Sequence, residues 1–148
     1  MKLLVSACLL GLPCRYDGGA KTLPGIGPLL ERYECIPVCP EQLGGLPTPR
    51  PPAECRDGRV FTREGTDVTT EFERGARATL ELAQLFGCGA ALLKERSPSC
   101  GCGVIHDGSF SAGLTAGDGV TAALLKQAGL PVYGESRLEE LLGSSAEN

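Results

Sequence analysis

The sequence predicts a single α/β domain, a short, mainly parallel four-stranded sheet covered by helices. Three observations carry this reading. Four short apolar runs, Leu3–Ser6, Cys35–Cys39, Ala90–Lys94 and Pro131–Tyr133, lack the strict alternation of a half-exposed strand. Such runs suit parallel strands buried on both faces. Helical periodicity fills the intervals between them, and strand–helix alternation builds a layered parallel sheet. At 148 residues the chain has room for one hydrophobic core.

The first strand, Leu3–Ser6, is followed by a short helix near Pro28–Tyr33 and then by the second strand. The strongest helix covers about Asp67 to Phe86. There Val68, Phe72, Ala76, Leu80, Ala83 and Phe86 recur at three-to-four spacing, with Gly87 and Gly89 beyond the end. After the third strand a helix starts near Asp118, carries Val120, Ala123, Leu124 and Ala128, and stops at Gly129. The fourth strand leads to a last helix opened by Ser136-x-x-Glu139, a capping box, with Leu138, Leu141 and Leu142 as its apolar face. The segment Pro47-Thr48-Pro49-Arg50-Pro51-Pro52 reads as a stiff loop, because proline cannot donate to a strand ladder. Crossovers are expected to be right-handed, with the first strand inside the sheet. The domain is expected to span 1–143, with 144–148 as a short disordered tail. No internal repeat or transmembrane run interrupts it.

Charge narrows the class of partner. Fourteen Lys and Arg against eighteen Asp and Glu leave a net charge of −4. This balance argues against holding nucleic acid through phosphate contacts and favours a small-molecule partner. The apolar stretch ahead of Cys8 is far shorter than the roughly 7–15 residues of a secretory core. A cytoplasmic location without membrane attachment is therefore expected. In that compartment the eight cysteines point to a metal, a cluster or thiol chemistry sooner than to disulfides.

Three loops are expected to meet where a parallel sheet binds its ligands, beyond the carboxyl ends of the strands. Ser6-Ala7-Cys8 ends the first strand, Val38-Cys39-Pro40-Glu41 the second, and Ser97-Pro98-Ser99-Cys100-Gly101 follows the third. Each brings one cysteine. Soft thiolates suit zinc, copper(I) or an iron–sulfur cluster. The paired Cys-x-x-Cys knuckles of structural zinc are missing, and three thiolates would leave an open coordination position. On spacing alone a metal or cluster, thiol catalysis and buried structural cysteines all remain open.

A resemblance sharpens these alternatives. Ser6-Ala7-Cys8-Leu9-Leu10-Gly11 with Arg15-Tyr16-Asp17-Gly18, Pro37-Val38-Cys39-Pro40-Glu41, Gly44-Gly45-Leu46 through Pro49-Arg50-Pro51, and Ser97-Pro98-Ser99-Cys100-Gly101 resemble the motifs of the thiouracil desulfidase family. The likeness runs from about residue 3 to residue 134. It implies a Rossmann-like domain and a [4Fe-4S] cluster on which sulfur is removed from 2-thiouracil or a related thiolated pyrimidine, without net redox change. Carried over by position, Cys8, Cys39 and Cys100 match the cluster ligands. Glu41 matches a catalytic acidic residue, and Ser97 matches a hydroxyl in contact with substrate. Cys14 is expected as a spare thiol near the site, and Cys35, Cys55, Cys88 and Cys102 lie outside the motifs.

Other residues read more plainly. Cys35, Cys55 and Cys88 suit packing, and a Cys-x-Cys pair makes Cys102 an awkward partner for Cys100 on one metal. His106, the sole histidine, is expected on the surface. Arg50, Arg56, Arg59 and Arg63, interleaved with Glu54, Asp57 and Glu64, read as a mixed solvated face. Lys94 closes the third strand and is a candidate to face the pocket. Two rival functions stand beside the desulfidase. One is a low-molecular-weight phosphatase or arsenate reductase, whose anion loop needs five residues between Cys and Arg, where Cys8 and Arg15 are separated by six. The other is a non-catalytic iron–sulfur or metal-binding protein.

Overall fold

The computed structural model describes Met1–Ala146. β1 (Lys2–Ser6) takes the centre of the sheet. It pairs in parallel with β2 (Glu34–Val38) on one side, where Leu3 faces Cys35 and Ser6 faces Val38. On the other side it pairs with β5 (Ala90–Leu93), which in turn pairs with β8 (Val132–Gly134). The order β2-β1-β5-β8 with every pair parallel matches the expected sheet, and the first strand lies inside it.

The pleat divides the core in two. Leu3 and Val5 point to the layer containing α1 (Ile26–Arg32) and α5 (Leu138–Ala146), where they cluster with Leu29 and Leu141. Leu4 points to the opposite layer, that of α3 (Thr69–Phe86) and α4 (Val120–Gln127), and clusters with Ala83, Ala122 and Leu125. Leu3, Leu4 and Val5 are all fully buried, which is why the run shows no alternation. Of the stripe expected for α3, Phe72, Ala76 and Ala83 are buried and Leu80 partly so, but Phe86 is exposed at the helix end, and Gly87 ends the helix at φ 68°.

Two helix starts are built differently from expectation. α4 begins at Val120, and Asp118 instead accepts hydrogen bonds from the Gly103 amide at 2.7 Å and Lys126 Nζ at 3.0 Å. Ser136 does not form a capping box with Glu139. It lies in a 3-10 turn, Glu135–Arg137, and both its amide and its hydroxyl donate to the Glu95 carboxylate, which reaches it from the end of the neighbouring strand. The tail expected over 144–148 ends outside the described residues.

Two hairpins were not expected. β3 (Ala53–Arg56) and β4 (Arg59–Thr62) turn through Asp57 and Gly58, both at positive φ. β6 (Val104–His106) and β7 (Leu114–Ala116) form the second. The hairpins are joined by Glu54, whose Oε1 accepts from the amides of Gly108 at 2.9 Å and Phe110 at 3.1 Å.

A four-residue helix, α2 (Pro40–Leu43), follows β2 and lies against α3 almost backbone to backbone. A Cβ at Gly75 would stand 1.9 Å from the Pro40 carbonyl oxygen, and one at Gly44 would stand 2.0 Å from that of Glu71. Gly75 is therefore the groove into which the segment after β2 is pressed, and that segment carries Cys39 and Glu41. Among the described residues no helix is long and apolar enough to cross a membrane.

Candidate active site

A cavity of about 510 Å³ opens at the carboxyl ends of β1, β2 and β5, and Cys8, Cys39, Cys100, Glu41 and Ser97 all line it. Each cysteine is placed by a different rigid loop. Cys8 sits in a 3-10 turn, Ala7–Leu10, which leaves β1 directly and closes at Gly11. Its carbonyl accepts from the amides of Gly11 at 3.2 Å and Lys21 at 2.9 Å, so the turn is tied down from both sides. Cys39 is the residue before α2, and its thiol donates to the Cys14 carbonyl at 3.6 Å. The Cys100 loop is fastened to the start of α4. Gly119, Val120 and Thr121 donate to the carbonyls of Gly101, Pro98 and Ser99, while the Ser99 and Thr121 hydroxyls meet at 2.8 Å.

Ser97 organises that loop from within. Its Oγ accepts from the amides of Ser99 at 3.1 Å and Cys100 at 3.0 Å. The hydroxyl hydrogen is left to donate elsewhere.

Burial dominates the thiols. It pushes Cys8 upward, partly offset by the positive charges of Lys94 and Arg15. It raises Cys100 to about 12, with a hydrogen bond from Ser6 opposing and Glu41, Cys8 and Cys39 adding. Cys14 also lines the cavity and is pushed up to about 12, first by burial and then by Cys39 and Cys8 beside it. A thiol that resists ionisation in the free protein is deprotonated outright when it ligates a metal. No three His, Cys, Asp or Glu side chains among the described residues are grouped to hold a single metal ion. Cys8 and Cys39 both act electrostatically on Cys100, and all three line the same cavity. Soft thiolate donors of this kind fit an iron–sulfur cluster.

Glu41, in the first turn of α2, is bonded through Oε1 to Arg50 Nε at 2.9 Å. Arg50 overturns the expectation of a solvated side chain. Its side chain is 5% exposed, and it also donates to the Pro47 carbonyl at 3.1 Å, Thr48 Oγ1 at 2.9 Å and the Cys14 carbonyl at 2.9 Å. The planar guanidinium fork reaches all of these at once, which a lysine could not. The proline-rich loop is thus a clamp that joins Glu41 to the Cys14 segment.

His106 also departs from expectation. It lines the cavity, half-buried, and its Nδ1 is enclosed without a hydrogen-bond partner. Lys94 lines the cavity as its position suggested and pairs with Glu135 at 2.9 Å. Arg63 and Phe110, on the two hairpins, reach the same cavity, and Arg63 lies over the Phe110 ring. Arg59, by contrast, is on the solvated face with Asp67, as the charge pattern suggested.

The remaining cysteines stand apart. Cys35 packs against the α1–α5 core, and Cys88 and Cys102 against the α3–α4 core. The Cys55 thiol donates to the Pro98 carbonyl at 3.5 Å, behind the Cys100 loop, and that of Cys102 to the Val132 carbonyl at 3.7 Å.

The comparisons agree with this geometry. The profile of the 2-thiouracil desulfurase family matches residues 3–137. An uncharacterized protein of Bacillus subtilis (strain 168), YbbK, is 43% identical over 150 residues, covering 95% of this chain and 99% of its own. The solved structure of a [4Fe-4S]-dependent thiouracil desulfidase, TudS, superposes with a TM-score of 0.93 at 47% identity, covering 99% of each chain.

Proposed function

The chain belongs to the 2-thiouracil desulfurase family, and on that premise we propose how its residues carry out [4Fe-4S]-dependent removal of sulfur from thiouracil. The observation that carries the reading is the meeting of Cys8, Cys39 and Cys100 with the Glu41–Arg50 pair around one cavity. These three cysteines would hold the cluster through their thiolates, which would leave one of its four irons without a protein ligand. When bound, the cluster supplies a Lewis acid for the thiocarbonyl sulfur of the substrate.

The rest of the chemistry belongs to the chain. A C=S bond is exchanged for C=O, water enters and hydrogen sulfide leaves, and no electrons change hands. Glu41 is the proton carrier. Arg50 engages its Oε1, which leaves Oε2 to draw the proton from the attacking water. Ser97 turns its hydroxyl hydrogen to the substrate ring, because both amides of its loop already occupy the oxygen. Lys94 and Arg15 place positive charge near Cys8, which suits an anionic cluster–thiolate assembly. The stiff clamp around Arg50 keeps Glu41 in one position while water and substrate exchange.

The phosphatase alternative lacks its essential part. An anion loop needs amides pointing inward, but those of Gly11, Leu12 and Cys14 donate to the carbonyls of Cys8, Ala7 and Leu12. We place the protein in the cytoplasm, where reducing conditions keep its cysteines out of disulfides. Its partner is a small thiolated pyrimidine, and 1–143 forms the desulfidase unit.

The test is anaerobic incubation of the cluster-loaded protein with 2-thiouracil and no added reductant or oxidant. Equal amounts of uracil and sulfide are expected over many turnovers. Uracil without sulfide, or a requirement for a stoichiometric electron donor, would overturn the reading.

A further inference from the structure

His106 lies on β6, whose residues alternate between the two sides of its hairpin, with Ile105 buried and His106 half-buried against the cavity. One edge of the imidazole is closed off. Nδ1 is shielded from solvent and finds no hydrogen-bond partner. Asp107 beside it is committed to Ser109, whose amide and hydroxyl both donate to its Oδ1. A neutral imidazole carries one proton on either nitrogen. A buried N–H without an acceptor is among the rarest arrangements in folded proteins, whereas an idle acceptor lone pair is tolerated more often. The proton therefore belongs on Nε2. Among the described residues Nε2 has no hydrogen-bond partner either, and the residue lines the cavity.

We propose, resting on the desulfidase reading above, that His106 is a specificity residue whose Nε2–H donates a hydrogen bond to the ring carbonyl of the pyrimidine. A donor fixed by its tautomer accepts a 4-oxo ring and rejects a 4-amino ring, which would present a second donor to it. A site built to bond one polar group discriminates strongly against the analogue that cannot complete the bond. The substrate class is accordingly 4-oxo-2-thiopyrimidines, not 2-thiocytosine and its relatives. The residue contacts substrate, but it moves no proton in the reaction.

The test compares kcat/KM for 2-thiouracil and 2-thiocytosine in cluster-loaded wild type, His106→Phe and His106→Gln. Wild type is expected to favour 2-thiouracil, and His106→Phe to lose about tenfold to a hundredfold of that preference. The loss should fall mainly on KM for 2-thiouracil. His106→Gln, whose amide can still donate, should recover part of it. An unchanged ratio in His106→Phe overturns the assignment.

A second measurement needs no variant. His106 is the only histidine, so imidazole nitrogen NMR of the wild-type holoprotein reports on this ring alone. Nδ1 should resonate as an unprotonated nitrogen, and Nε2 should shift as uracil is titrated to saturation. A protonated Nδ1, or uracil that fails to move Nε2, overturns the assignment even if sulfide release from 2-thiouracil is intact. A holoprotein that releases no sulfide refutes the desulfidase reading instead, while the uracil titration still decides the role of His106.

Discussion

Arg50 Nε stands 2.9 Å from Glu41 Oε1 in the wall of the cavity that holds Cys8, Cys39 and Cys100. The same guanidinium binds the Cys14 carbonyl at 2.9 Å. A single buried cation thus fixes the carboxylate assigned to proton transfer and the loop that runs beneath the Cys39 thiol.

Removing that cation should be costly in two ways. Arg50→Ala leaves a carboxylate and two backbone carbonyls without their donor, and breaking a buried pair destabilises a fold by about 3–5 kcal/mol. Arg50→Lys retains charge but not the fork. It should keep most of the stability and still lose at least tenfold in kcat. Thermal unfolding and sulfide-release rates measured side by side separate the two effects.

The cysteines should divide into two sets. Cys8→Ser, Cys39→Ser and Cys100→Ser should each lose bound iron, the brown absorbance at about 400 nm expected of a thiolate-ligated cluster, and activity together. Cys35→Ser, Cys88→Ser and Cys102→Ser, whose thiols face the cores outside the cavity, should keep all three. On the ligand set proposed here, Cys14→Ser should also retain iron, because Cys14 stands beside Cys39 and Cys8 without being assigned to the cluster. Iron and acid-labile sulfide counts on anaerobically purified variants decide each case.

Gly75→Ala is predicted to damage the site from the far side of α2. A methyl group there would stand 1.9 Å from the Pro40 oxygen, so α2 must move, and Cys39 and Glu41 with it. Overpacking of this kind costs about 1–3 kcal/mol or more. A lower melting temperature accompanied by reduced iron content is expected. Unchanged values for both would show that the two helices do not pack through this glycine.

Stability of the cluster-free protein should fall on the alkaline side. Cys14 and Cys100 are raised to about 12 and Cys55 to about 11, from an ordinary 9.0, with burial the main cause in each. The folded state therefore favours the protonated thiols. Their contribution is complete below pH 9 and is lost as the pH climbs from 9 through 11 and 12, where the unfolded chain ionises first. Melting temperature against pH should drop across that window, and Cys55→Ala should make the drop shallower.

Much of this arrangement is legible in the sequence, and the illegible parts share a cause. The sheet could be read because Leu3, Leu4 and Val5 are buried on both faces, and α3 because its apolar residues keep one period over eighteen residues. The cysteine loops could be located because each lies beyond a strand end, close behind it for Cys8 and Cys39 and several residues on for Cys100. The burial of Arg50 is not legible because charge interleaving describes a neighbourhood, whereas its burial comes from a clamp closed by residues at positions 14, 41 and 48. The hairpins are short and half-exposed, so they lack apolar runs. The Asp57-Gly58 pair, a strong turn signal, was the one available cue to β3 and β4. His106 had no local cue at all, since its position depends on the second hairpin folding back over the cavity.

The most direct test of the central claim is the iron-57 Mössbauer spectrum of the cluster-loaded protein, recorded before and after addition of 2-thiouracil. Three thiolates on four irons predict one iron distinct from the other three, its signal changed by the substrate and absent from Cys39→Ser. Four equivalent irons that do not respond to 2-thiouracil would contradict the account.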